Sequence, residues 1–197
     1  MMKNKFFAAM LLAFSCALLT NAQEERSTDL SYLFPEPKSW DFGIQVNQGL
    51  ERSSYSNFQG TGGFSQTDGI TRLAFFAQYQ INKNSNLKME LSAGLYYRLA
   101  PTISIQYGYQ FAPRWTAYGG LAVEYAGSYN FYDSRENNPQ YRSIMPRFQL
   151  GVRYQASKSI FIDLRYEGDI LKRTQLQNLS TSRGRIHTVT LGMGIKF

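Results

Sequence analysis

The chain holds one histidine, His187, and one cysteine, Cys16, in 197 residues. A hydrolase needs a nucleophile, a base to activate it and a group to orient that base. His187 is followed by Thr188 and Thr190 rather than by serine, so a His-x-Ser pair is missing. Cys16 falls in an amino-terminal apolar run that reads as a cleaved leader, and the remaining chain then has no thiol. Disulfides, thiolate nucleophiles and thiolate metal sites are excluded from that mature chain. One histidine without cysteine also leaves no transition-metal cluster. The expectation is a protein with no catalytic residue, no cofactor and no metal.

The other residues that could do chemistry are charged, and their spacing puts them on one side of alternating segments. Glu51, Glu90, Glu124, Asp163, Glu167 and Asp169 share a face with Lys88, Arg98, Arg147, Arg153, Arg165 and Lys196. The two signs balance. Such groups, if enclosed, must be paired and hydrogen-bonded, because an unpaired buried charge is prohibitively costly. The plain reading is a closed salt-bridge network built around Glu90, Glu124, Arg147, Arg153, Asp163, Arg165 and Glu167. The sharper one is a narrow gated pore or a proton-coupled path.

The segments that carry them start after a polar lead-in. Residues 1–22 read as a secretory signal peptide, with Lys3 and Lys5 as the charged region, Phe6 to Leu19 as the apolar stretch and Thr20-Asn21-Ala22 as the cleavage site. Lipoprotein processing ahead of Cys16 is a rival, disfavoured by the bulky Phe14. Residues 23–39 carry Pro35 and Pro37 and read as an irregular periplasmic lead-in. From Trp40 to Phe197 a single domain is expected. Its strands fall at about 40–51, 70–81, 87–98, 103–111, 115–126, 146–155, 160–170 and 186–197. Residues 82–86, 112–114 and 156–159 are short connections, and 52–69, 127–145 and 171–185 are long ones, with 99–102 a short exception.

Each strand has one large apolar face and one small, polar or charged face. Soluble sandwiches and lipocalin-like barrels also alternate. Two further features favour lipid. Trp40, Phe111, Trp115 and Phe197 fall at the tight-turn end, and Tyr97, Tyr125 and Tyr166 near the other, as two aromatic belts. The mean hydropathy of −0.36 argues against spanning helices and not against a barrel, in which only alternate residues meet lipid. The fold class expected is all-β: an eight-stranded antiparallel transmembrane up-and-down β-barrel. By odd parity His187 faces lipid at the rim, beside Arg185.

With its eight alternating segments and terminal TLGMGIKF, the chain resembles the small eight-stranded outer-membrane barrels of the OmpA, OmpX and OmpW kind. The resemblance implies a bacterial outer-membrane location. It also implies that Met193, Ile195 and Phe197 act as the signal read by the outer-membrane assembly machinery. Outer-membrane lipid, lipopolysaccharide and that machinery are the expected partners, with a surface ligand or an envelope protein possible.

The formal charge is +7, and +5 without Lys3 and Lys5. That excess suits lipid phosphates, and no basic run or nucleic-acid motif is present, so no nucleic acid is expected. The long connections are rich in Gly, Ser, Asn and aromatics, a composition that makes adaptable binding surfaces and ordinary surface loops alike. Arg135, Arg142, Lys172, Arg173, Arg183 and Arg185 in or beside them could pair with lipopolysaccharide phosphates. The function expected is a non-enzymatic structural or surface-binding barrel. The alternatives are a small-solute porin-like channel and an accessory subunit of an envelope secretion or assembly system.

Overall fold

Strand backbones carry N–H and C=O groups on both edges that need a partner strand on each flank, and the chain supplies one for every strand by closing on itself. The computed structural model describes residues 38–57, 63–94, 101–125, 144–177 and 180–197. The expected signal peptide, nearly all of the lead-in, Tyr97, Arg98, Arg135 and Arg142 lie outside the described residues. Among the described residues there are nine strand segments. They are β1 (Trp40–Asn57), β2 (Gly63–Asn82), β3 (Ser85–Gly94), β4 (Thr102–Ala112), β5 (Trp115–Tyr125), β6 (Ile144–Gln155), β7 (Ile160–Asp169), β8 (Arg173–Gln177) and β9 (Ser180–Lys196).

Every pairing is antiparallel, and β9 returns to β1 from Gly43–Lys196 to Asn57–Ser182. The Phe197 N–H donates to the Phe42 carbonyl at 2.9 Å, one step beyond the last ladder pair. β7 and β8 are one wall strand with a bend: β7 pairs with β9 as far as Gly168–His187, and β8 resumes at Arg173–Gly184. The wall is therefore a closed barrel of eight antiparallel strands.

The tight turns have local causes. The Asn82 side-chain oxygen accepts from the backbone N–H groups of Asn84 and Ser85, both at 2.9 Å, which folds the β2–β3 turn without help from the core. Ser157 Oγ accepts from Ile160 N at 3.1 Å in the β6–β7 turn.

Two of the expected long connections are mostly strand. β1 and β2 run past residues 51 and 70, pairing out to Ser56–Gly63, and β8 and β9 fill most of 171–185. The reason is physical. Beyond the apolar band the outward positions become Arg52, Ser54, Thr67 and Arg185, so the hydropathy alternation ends while the backbone ladder continues. As a result β2, β1, β9 and β8 continue together as a sheet beyond the apolar band; residues 95–98 of the expected third strand lie outside the described residues.

The wall is inverted relative to a soluble protein. Phe42, Leu50, Phe75, Leu91, Ile103, Leu121, Leu150, Leu164 and Val189 all point outward and are exposed. Gln45, Asn47, Arg72, Lys88, Glu90, Gln106, Arg147, Asp163 and Glu167 are buried inside. The outward apolar run of β1 from Trp40 to Leu50 has the length of a tilted strand across a hydrocarbon core of ~30 Å. Trp40 packs on Tyr79 at 5.0 Å between ring centroids, and Trp115 on Tyr154 at 4.9 Å, at the tight-turn rim. Phe111 and Phe197 are exposed at the same rim, and Tyr125 at the other.

Candidate functional site: the charged lumen

An eight-stranded barrel leaves an interior just wide enough for side chains to fill. Here they fill it in two tiers. The tier nearer the tight turns is anchored by facing strands β3 and β7. Arg165 donates to both oxygens of Glu90, at 2.7 and 2.9 Å, and its guanidinium lies 3.2 Å from Asp163. Lys88 Nζ is 2.9 Å from Glu90 and donates to Gln45 Oε1 at 2.7 Å. Asp163 accepts from the Tyr118 hydroxyl at 2.9 Å and from Gln45 Nε2 at 3.0 Å, and Arg153 Nε lies 3.5 Å away. Arg153 also donates to Gln78 Oε1 at 2.9 Å.

Two rings close this tier. Phe76 and Phe161 meet edge to face at 5.5 Å. Lys88 Nζ sits 4.4 Å over the Phe76 ring, and the Arg153 guanidinium 4.8 Å over that of Phe161, in cation–π geometry. Each ring lies over a glycine of a neighbouring strand, Gly43 under Phe76 and Gly194 under Phe161. A Cβ at either glycine would overlap the ring, so these positions need glycine for close approach.

The second tier lies toward the long hairpins. Arg147 reaches Glu124 at 2.8 Å, Glu167 at 3.2 Å and Asp169 at 3.4 Å, and donates to Thr188 Oγ1 at 2.7 Å. Arg72 sits 2.5 Å from Glu167, with Glu124 and Glu51 each at 3.8 Å. Gln149 donates to Glu167 Oε1 at 2.9 Å and accepts from Gln106 at 3.0 Å. The tiers touch where Arg165 comes within 3.6 Å of Glu167. The charged groups are almost wholly removed from solvent: Arg147 and Asp163 are 0 % exposed.

The seven residues Glu90, Glu124, Arg147, Arg153, Asp163, Arg165 and Glu167 thus meet in one connected lumen. Lys196 does not join them: it pairs with Asp41 at 3.5 Å at the tight-turn rim. Several members were not singled out from sequence, Arg72, Tyr118 and Gln45 among them. Arg72 shares the even parity of Ala74 and Phe76, which was its available signal. Tyr118 and Gln45 also stand on inward positions, but parity does not say which inward residues meet.

His187 is on the outer face. Its Nδ1 lies 2.7 Å from the Tyr166 hydroxyl, and the two rings stack at 6.0 Å. Met193 and Ile195 face outward on β9, and Phe197 is 79 % exposed at the rim. Among the described residues no group of three or more His, Cys, Asp or Glu side chains is placed to hold a metal ion.

A closed wall with large apolar side chains outside and paired charges inside defines the class: an integral membrane β-barrel. No family model matches the chain, and no curated protein matches it. Solved outer-membrane structures do. The outer membrane protein OprG from Pseudomonas aeruginosa is 15% identical, covering 82% of this chain and 97% of its own, with a TM-score of 0.47. AlkL, solved in lipid bilayers, is 15% identical over 83% of this chain and 92% of its own, with a TM-score of 0.47. Ail, the attachment invasion locus protein of Yersinia pestis, is 14% identical over 82% of this chain and 100% of its own, with a TM-score of 0.46.

Proposed function

We propose that the chain is a closed, non-enzymatic outer-membrane barrel. Its working surface is the sheet that β2, β1, β9 and β8 raise beyond the membrane. The observation that carries this reading is the lumen. Two tiers of paired charges, with Phe76 and Phe161 beside them, fill the interior of a narrow barrel. A role in surface binding or envelope structure then falls to the raised sheet.

The outward apolar wall between aromatic rims supports an outer-membrane destination, and Met193, Ile195 and Phe197 would be read there by the assembly machinery. Planar-bilayer recording of the purified barrel tests the closed state. The expected result is no stable conductance; a large, long-lived opening would overturn it.

That outcome would favour the second reading, a small-solute channel. It has one observation behind it. Gln106 Oε1 and Thr190 Oγ1 are buried in the lumen without a hydrogen bond from the described residues, as sites along a polar path would be.

A further inference from the structure

The described acids and bases are sorted between the two faces of the wall. Asp41, Glu51, Asp68, Glu90, Glu124, Asp163, Glu167 and Asp169 all occupy inward positions of their strands. Among the described strand residues no outward position carries an acid. Outward cations on the described strands gather in one place. Along the β1–β9 seam the outward ladder reads Ile44–Ile195, Val46–Met193, Gln48–Leu191 and Leu50–Val189, and then Arg52–His187 and Ser54–Arg185. The change from apolar to cationic takes one step, directly above exposed Leu50 and Val189. Arg52 and Arg185 are both exposed. Exposed Lys172 precedes Arg173, which pairs with Gly184, so it stands at the height of Arg185.

We propose that Arg52, Arg185 and Lys172, with His187 beneath them, form a binding site for the phosphate groups of an anionic glycolipid in the outer leaflet. The placement names the ligand. A phosphate on a lipid headgroup lies just above the hydrocarbon boundary, which is where these cations stand, while its acyl chains lie along Leu50, Val189 and Leu191. Arg presents a planar fork matched to phosphate oxygens. Arg52 Nε donates to Ser65 Oγ at 3.1 Å, which anchors one edge of that fork on β2. The segregation adds selectivity, since no outward strand carboxylate among the described residues competes for the cations. This site rests on the outer-membrane reading above.

The test is native mass spectrometry of the barrel released from nanodiscs of phosphatidylcholine doped with bisphosphorylated lipid A, with dephosphorylated lipid A as the comparison. Wild type is expected to retain the phosphorylated lipid about tenfold more than the dephosphorylated one. R52Q/R185Q is expected to lose that preference and R52K/R185K to keep most of it. K83Q/K158Q, at the tight-turn end, should behave as wild type. If the double Gln variant does not fold, R185Q alone is read, with an expected partial loss. Equal retention of both lipids by wild type, or an unchanged preference in the Gln variant, overturns the site. A soluble sulfated polyanion that binds the same residues equally well without lipid A overturns the lipid assignment. Failure of the membrane reading looks different: the chain would not enter the nanodisc at all.

Discussion

Arg165 on β7 grips Glu90 on β3 through two parallel hydrogen bonds, 2.7 and 2.9 Å, across the full width of the barrel. The pair ties opposite walls together, and Lys88 shares the same carboxylate. Removing one partner of a buried pair strands the other without water, whereas replacing both with apolar groups can be neutral.

Glu90→Ala should therefore cost about 3–5 kcal/mol, because it leaves Arg165 short of its main acceptor and Lys88 without its carboxylate. Urea titration of the barrel in liposomes reads the loss. Glu90→Leu combined with Arg165→Met should be closer to wild type than Glu90→Ala alone. A single-variant loss under about 1 kcal/mol would show that the lumen solvates these charges well.

Gly194 makes room for the Phe161 ring. Gly194→Val should destabilise the closing pair of strands by about 1–3 kcal/mol through overpacking. Adding Phe161→Ala should recover part of that loss, since the two sites share one contact. Additive losses in the double variant would refute the ring-over-glycine packing.

Leu121 points outward from the middle of β5 and is 57 % exposed on the protein alone. Against lipid, Leu121→Arg should cost about 2–4 kcal/mol. The inward neighbour Ala122 lies 2 % exposed among polar groups. Folding yield in bilayers, read from the heat-dependent gel shift, should fall for Leu121→Arg. An unchanged yield would argue that this face meets water.

The Phe197 side chain is exposed, whereas its N–H bonds to Phe42 through the backbone alone. Phe197→Asp should leave refolding in detergent nearly intact and yet lower the amount assembled in cells several-fold. Equal outer-membrane levels of the variant and wild type would show that the side chain carries no assembly signal.

The two faces of each strand were legible because lipid and lumen impose opposite demands on alternate residues. Phe75 and Phe76 are adjacent and chemically identical, yet one is 57 % exposed and the other 5 %. Their parity alone separates them. The raised sheet was not legible: past Leu50 both faces of the wall are polar, and Arg52, Ser54 and Ser56 read as loop. Pairing inside the lumen was also hidden. Arg72 finds Glu167 from β2 to β7, and that meeting depends on the stagger of the strands rather than on spacing along the chain. Arg147 and Asp169, by contrast, are direct cross-strand neighbours.

The seam between β1 and β9 runs from Gly43–Lys196 to Asn57–Ser182, far longer than the β3–β4 ladder from Ser85–Tyr109 to Ser92–Thr102. It also joins the two ends of the domain, so it closes the largest loop in the chain. Closure entropy grows with loop length, and non-local pairings are the slow step of folding. The barrel thus places its longest non-local zipper where the search for a partner is hardest. An incompletely closed chain would present two unpaired edges, each built to recognise the other, and the length of that match gives the final ring its direction and its latch.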